Sequence, residues 1–230
     1  MPSRGRDNFR RPGRASLTGL AGTLYRRGLP LALLVVASST ALAFTVTINQ
    51  GSRAIYLQIG NGTSSGQFDN GVLPSNNTTI NKVSVTVPAT AVGNGTAQAM
   101  TTDSTASNSF WDGFAFCNLP AQLYIGGFYR TPGGGNSTLS VTATVPVALT
   151  DTAGDTIPFS QISWTSSGNA DGNAAQPFPA GTFPAGGSRT IGQIGQNQWA
   201  ESCWTFSYLN TVIAPGGSYT GRVTYTLVAP

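Results

Sequence analysis

The chain has 230 residues, a formal net charge of +4 and no histidine. Its charge is unevenly placed: Arg4, Arg6, Arg10, Arg11, Arg14, Arg26 and Arg27 precede residue 44, whereas beyond it Arg53, Lys82, Arg130, Arg189 and Arg222 face six Asp and one Glu. That remainder lacks the clustered cations with which proteins displace counterions from nucleic acid, and without histidine no conventional Ser–His or Cys–His pair can be built.

The chain opens on the basic stretch, which ends at Arg26-Arg27 and is followed by LPLALLVVASSTALA and then FTVTIN. A basic region, an apolar run and small residues ending at Ala41-Leu42-Ala43 have the form of a secretory signal. The run is about 15 residues and holds Pro30, short of the roughly 20 that span a bilayer. The expectation is a cleaved leader over residues 1–43, with an extended Arg-rich start, and no membrane span after cleavage. Residues 44–230 then form a single exported domain, bound for the periplasm, the cell surface or the medium.

In that domain apolar and polar residues alternate with the period of strands. The predicted strands are FTVTIN (44–49), AIYLQIG (54–60), KVSVTVP (82–88), AQLYIGGFYR (121–130), TLSVTATVPVAL (138–149), TIPFSQISWTS (156–166), SRTIGQI (188–194), QWAESCWTFSYLN (198–210) and SYTGRVTYTLV (218–228). Turn signals separate them at Asn61-Gly62, Asn70-Gly71, Asn94-Gly95, Gly133-Gly134-Gly135, Asp171-Gly172 and Gly216-Gly217. Roughly nine or ten strands with next to no helix point to an all-β, antiparallel sandwich of immunoglobulin-like or pilin-like form, with a closed barrel as the lesser alternative. Two long loops, 95–109 and 167–187, interrupt the pattern.

The two cysteines, Cys117 and Cys203, are expected to form one disulfide in an exported domain. Read as extended, SFWDGFAFCN (109–118) puts Phe110, Asp112, Phe114 and Phe116 on one face and Cys117 on the other. In ESCWTFSY (201–208), Ser202, Trp204, Phe206 and Tyr208 share a face and Cys203 points away. The simplest arrangement pairs the two segments as neighbours in one sheet, aromatic rows toward the core and the disulfide on the outer or loop-covered face. In that register Asp112 and Glu201 stand roughly 23 Å apart and make no catalytic dyad of the kind glycoside hydrolysis needs.

No residue is assigned a catalytic role, no cofactor is implied and no metal ligand set is assigned. The acids Asp69, Asp103, Asp151, Asp155 and Asp171 sit in turn-like contexts where a carboxylate bonds the backbone. The segment DTAGD (151–155) has the composition of a surface calcium loop, but a hairpin turn accounts for the same residues. Trp111 and Trp199 are the aromatics expected to be partly exposed, and they are the candidates for stacking on a sugar ring.

The ends of the domain resemble exported bacterial fimbrial and spore-coat-U-type subunits. The resemblance rests on FTVTIN and on the terminal GGSYTGRVTYTLVAP, in which Tyr219, Gly221, Val223, Tyr225 and Leu227 share one face. It implies a secreted β-sandwich, and for the chaperone–usher class a subunit that lends its N-terminal strand to the next copy. Phe44, Val46 and Ile48 would form that donor strand, although the same residues also fit a strand of their own sheet. The expected role is a non-enzymatic structural or adhesive envelope protein whose partners are copies of itself or other envelope subunits. A secreted glycan-binding module is the alternative, and a secreted hydrolase a weaker one.

Overall fold

The computed structural model describes residues 45–67, 77, 79–168 and 175–228. Every described residue belongs to one compact unit, Ser39–Pro230. The expected leader over residues 1–43, Phe44, Asp69, Asn70-Gly71 and Asp171-Gly172 lie outside the described residues.

Along the described chain run β1 (Thr45–Thr47), β2 (Ala54–Ile59), β3 (Gly62–Gln67), β4 (Val83–Ser84), β5 (Gln98–Ala99), β6 (Thr101–Thr102), β7 (Leu123–Arg130) and β8 (Thr138–Val145). After them come β9 (Ala148–Thr150), β10 (Thr156–Pro158), β11 (Ile162–Ser167), β12 (Gly181–Thr182), β13 (Gly187–Gly195), β14 (Gln198–Tyr208) and β15 (Thr224–Val228). All pairings between these strands are antiparallel. Two single turns of 3-10 helix, Ala89–Ala91 and Phe159–Gln161, are the only helical elements among the described residues, and none is long and apolar enough to cross a membrane.

The largest sheet runs β12-β11-β14-β7-β2-β3, with β1 and β5 also joined to β14. A second sheet runs β13-β8-β15, and two short ladders pair β9 with β10 and β4 with β6. The main core draws on both larger sheets. Ile55, Leu57, Leu123, Ile125, Trp204 and Phe206 come from the large one, and Leu139, Val141, Ala143, Val145, Ile191 and Ile194 from the other. Strand β8, TLSVTATV, shows why the period of two works here: each apolar residue is buried and the hydroxyls between them lie outward.

Several strand expectations change. The run 82–88 keeps ladder pairing only at Val83–Ser84, and 218–228 only from Thr224. Strand β3, GTSSGQ, has no large apolar residue to betray it and is held by full pairing with β2. The loop 95–109 contains β5 and β6. The turn at DTAGD joins β9 to β10, and one Asp151 carboxylate oxygen accepts the amides of Ala153 (2.9 Å) and Asp155 (2.8 Å), as a turn-forming aspartate does.

Candidate functional site

Strand β14 divides its side chains between two compartments. Trp204, Phe206 and Tyr208 enter the main core, while Trp199 and Cys203 belong to a second buried cluster with Tyr56, Phe116, Cys117 and Tyr124. The parity read from ESCWTFSY therefore holds. That read from SFWDGFAFCN does not, because the segment is a tight hairpin-like loop laid over the outer face of the large sheet. Ser109 N–H donates to Phe114 O, Phe116 and Cys117 both donate to Ser107 O, and Asn108 bridges Ala115. The reversal falls at Asp112-Gly113. Asp112 Oδ1 accepts the Phe114 amide at 2.9 Å and Gly113 takes φ +74°, where a glycine avoids the Cβ penalty.

The disulfide is present, Cys117 to Cys203 with Cα atoms 5.6 Å apart. It joins a loop to a strand rather than two neighbouring strands, since β14 is flanked by β7, β11, β1 and β5. The expected placement on a loop-covered face stands; the strand-to-strand pairing and the core-facing row of Phe110 and Phe114 are corrected. Those two rings are 60% and 55% exposed, while Phe116 is buried beside the disulfide. Of the two stacking candidates, Trp111 is 47% exposed, but Trp199 is 1% exposed. Rings delivered by the loop cover it: Phe110 stacks on Trp199 at 5.6 Å between centroids and Trp111 at 6.2 Å.

Beneath these rings lies the domain's one glutamate. Glu201 pairs across the ladder with Gly126 and is fully buried. The fully buried Tyr124 donates its hydroxyl to Glu201 Oε2 at 2.5 Å. Gly126 makes room for the pair, because a Cβ there would run into the Tyr124 hydroxyl. Burial, the largest influence, pushes the Glu201 carboxyl above its ordinary pKa. Tyr124, Ser109 and Trp199 pull against that rise, and the charge of Asp112 adds to it. Glu201 Oε1 and Trp199 Nε1 make no hydrogen bond of good geometry, so the surrounding donors replace water only in part. The register assumed for Asp112 and Glu201 is overturned, because the segment carrying Asp112 is a loop laid on Trp199 rather than a strand beside β14. The carboxyl is nonetheless sealed under the loop rather than presented in a cleft.

A second feature lies on the other side of the large sheet. A groove of about 1280 Å³ runs between the β15 edge and the segment containing β4, floored by Leu57, Ile59 and Leu123. Val83, Val85 and Val87 on one wall and Val223, Tyr225 and Leu227 on the other are only partly buried. Among the described residues β15 pairs with β8 alone, so its other edge faces the groove unpaired. Ordinary ligand pockets reach roughly 1,000 Å³, and this one is lined along the length of β15.

The N-terminal segment is placed within its own sheet. Strand β1 pairs with β14 through Thr45↔Ala200, Val46↔Trp199 and Thr47↔Gln198, and Ile48 N–H donates to Asn197 O. Val46 and Ile48 pack, partly buried, on the second cluster rather than in the groove. Reasoning from residues passed over Tyr56, Tyr124, Phe110 and Phe128 as parts of one aromatic site. The dipeptide Asp112-Gly113 was the available signal for the hairpin, and Tyr56, out of phase with Ile55 and Leu57, was the signal for a covered outer face. Among the described residues no group of three or more His, Cys, Asp or Glu gathers to hold a metal. The chain matches no protein-family model, no curated protein and no solved structure.

Proposed function

We propose that this protein is an exported, non-enzymatic subunit of the cell envelope, a two-layer β-sandwich that assembles by taking an extended strand from a second copy into its groove. The groove carries the reading. A core whose wall residues Val83, Val85, Val87, Tyr225 and Leu227 are only partly buried, beside a strand edge that no described residue pairs, has the form of a sheet short of one strand. An inserted strand would satisfy the free edge and cover those side chains together, and alternate side chains would fill the groove.

The donor in this reading is the segment 44–50, FTVTINQ, with Phe44, Val46 and Ile48 as the inserted row. Its own attachment is slight. Strand β1 has three residues and its outward threonines are exposed, so leaving β14 costs little beside filling the groove. Export fits the disulfide, which persists in oxidising compartments, and the poverty of charge beyond residue 44.

The test compares forms beginning at residue 44 and at residue 51 by sedimentation velocity over a range of concentrations. The longer form is expected to give a concentration-dependent series of oligomers, and the shorter a monomer. A longer form carrying Leu227→Lys, which charges the groove wall, is expected to be monomeric as well. Strictly monomeric behaviour of the unsubstituted longer form at all concentrations would rule the reading out.

A further inference from the structure

Among the described residues the most exposed rings gather at one place. Phe110, Trp111 and Phe114 are all on the tip of the 107–117 hairpin, and each is about half exposed or more. Their exposure is built in. The tip is closed by Ser109 to Phe114, Gly113 to Ser109 and Asn108 Nδ2 to Gly113 O, and its base is locked by the disulfide. A loop so constrained cannot collapse to hide its rings.

The inner faces of two of these rings are already used. Phe110 stacks on Tyr56 at 4.9 Å and 25°, Trp111 stacks on Trp199 at 30°, and Tyr56 stacks on Phe128 at 9°. The outcome is a ledge of stacked rings, inclined by 9° to 30° from one contact to the next, from the exposed Trp111 and Phe110 back to the half-buried Phe128. Charge stands at both ends. Asp112 is exposed on the tip, and the Arg130 guanidinium lies 5.9 Å from the Phe128 ring centre.

We propose that this ledge binds a neutral polysaccharide, the outer faces of Phe110 and Trp111 stacking on the C–H faces of pyranose rings while Asp112 and Arg130 hydrogen-bond their hydroxyls. The charge pattern selects that class. One carboxylate and one guanidinium suit a polar, uncharged ligand, the one as acceptor and the other as donor. An anionic polymer or anionic lipid surface would bring its charge against Asp112 with no cation on the tip to offset it. A purely apolar ligand would desolvate Asp112 without replacing its hydrogen bonds. Stacked rings held on a closed hairpin offer area at low entropic cost, as in other aromatic-rich binding surfaces.

The experiment is affinity electrophoresis of the domain through gels containing, separately, hydroxyethyl cellulose, xylan, β-1,3-glucan, galactomannan and alginate, together with flotation on vesicles containing phosphatidylglycerol. Retardation by at least one neutral polymer is expected, and by neither alginate nor vesicles. Trp111→Ala and Phe110→Ala are each expected to weaken that retardation at least about tenfold, the effect of losing a central aromatic contact. Ile213→Ala, an exposed apolar residue elsewhere, should leave it unchanged. The proposal is overturned if no neutral polymer retards the domain, if Trp111→Ala migrates like the parent, or if alginate or vesicles are bound instead. A dimer that Trp111→Ala dissociates would equally overturn it, by showing the ledge to be a self-contact.

Discussion

Glu201 is a carboxyl whose environment favours its protonated form. Burial raises its pKa, and Asp112 raises it further. A carboxyl with a folded pKa above the unfolded value contributes most below the unfolded value, near 4.5, and that contribution is lost as pH rises through the folded one. The exposed Asp103, held low by Asn81 and the Lys82 amide, has the opposite sign and loses its contribution on acidification. Comparing the parent with Glu201→Gln separates the two. The variant is expected to be more stable than the parent at pH 7, on the order of 1–3 kcal/mol, the mutational cost of a poorly compensated buried polar group. The difference should shrink toward zero below pH 4. Urea melts at pH 4, 5.5 and 7 measure it, and an equal or larger advantage at pH 4 would contradict the assignment. The residue was visible in the sequence as the acid between Trp199 and Cys203, but its burial was not, because burial depends on a loop arriving from ninety residues upstream.

At the scale of elements, the same alternation that located β8 and β14 misled at 109–117. Phe110, Asp112, Phe114 and Phe116 repeat every second residue as a strand would, yet Asp112-Gly113 reverses the chain and splits the row, leaving Phe110 and Phe114 in solvent and Phe116 inside. Alternation fixes which side chains share a face only where a ladder keeps the backbone extended, and here no long ladder forms. The disulfide compensates by fixing the loop to β14 across 86 residues of sequence. In the chain-entropy picture, closing that span restricts the unfolded state by about 4.6 kcal/mol. Cys117→Ser with Cys203→Ser is therefore expected to lower the unfolding free energy by about 3–5 kcal/mol. The loss should not stop at stability. With its base released, the hairpin no longer clamps Phe110 and Trp111 over Trp199, and tryptophan emission should shift to the red in the folded double variant. Folded-state emission identical to that of the parent would show that the hydrogen bonds within the hairpin and its ring contacts hold the tip alone.

At the scale of the whole molecule two edges compete for one segment. Residues 45–48 are attached to β14 by three ladder pairs and the Ile48 amide, while the groove beside β15 offers a longer edge and half-covered apolar walls. If the groove accepts residues 44–50 of another copy, the free peptide FTVTINQ must stabilise the form that begins at residue 51, because any ligand that binds only the folded state adds RT ln(1 + [L]/Kd). At a hundredfold excess over Kd that is about 2.7 kcal/mol, or a rise in Tm of roughly 5–10 °C for a domain of this size. A peptide with Val46 and Ile48 replaced by Ser keeps the backbone donors but loses the inserted row, and is expected to give little shift. The vacant β14 edge is a rival site for the same peptide. Leu227→Lys separates the two: it lies in the groove wall on β15, in the other sheet from β14, and should abolish the shift if the groove is the acceptor. A shift that survives Leu227→Lys would place the peptide back on β14 and leave the groove to another occupant. The sequence pattern at 44–48 suited both sites equally, since a strand with one apolar face fits any edge that buries that face.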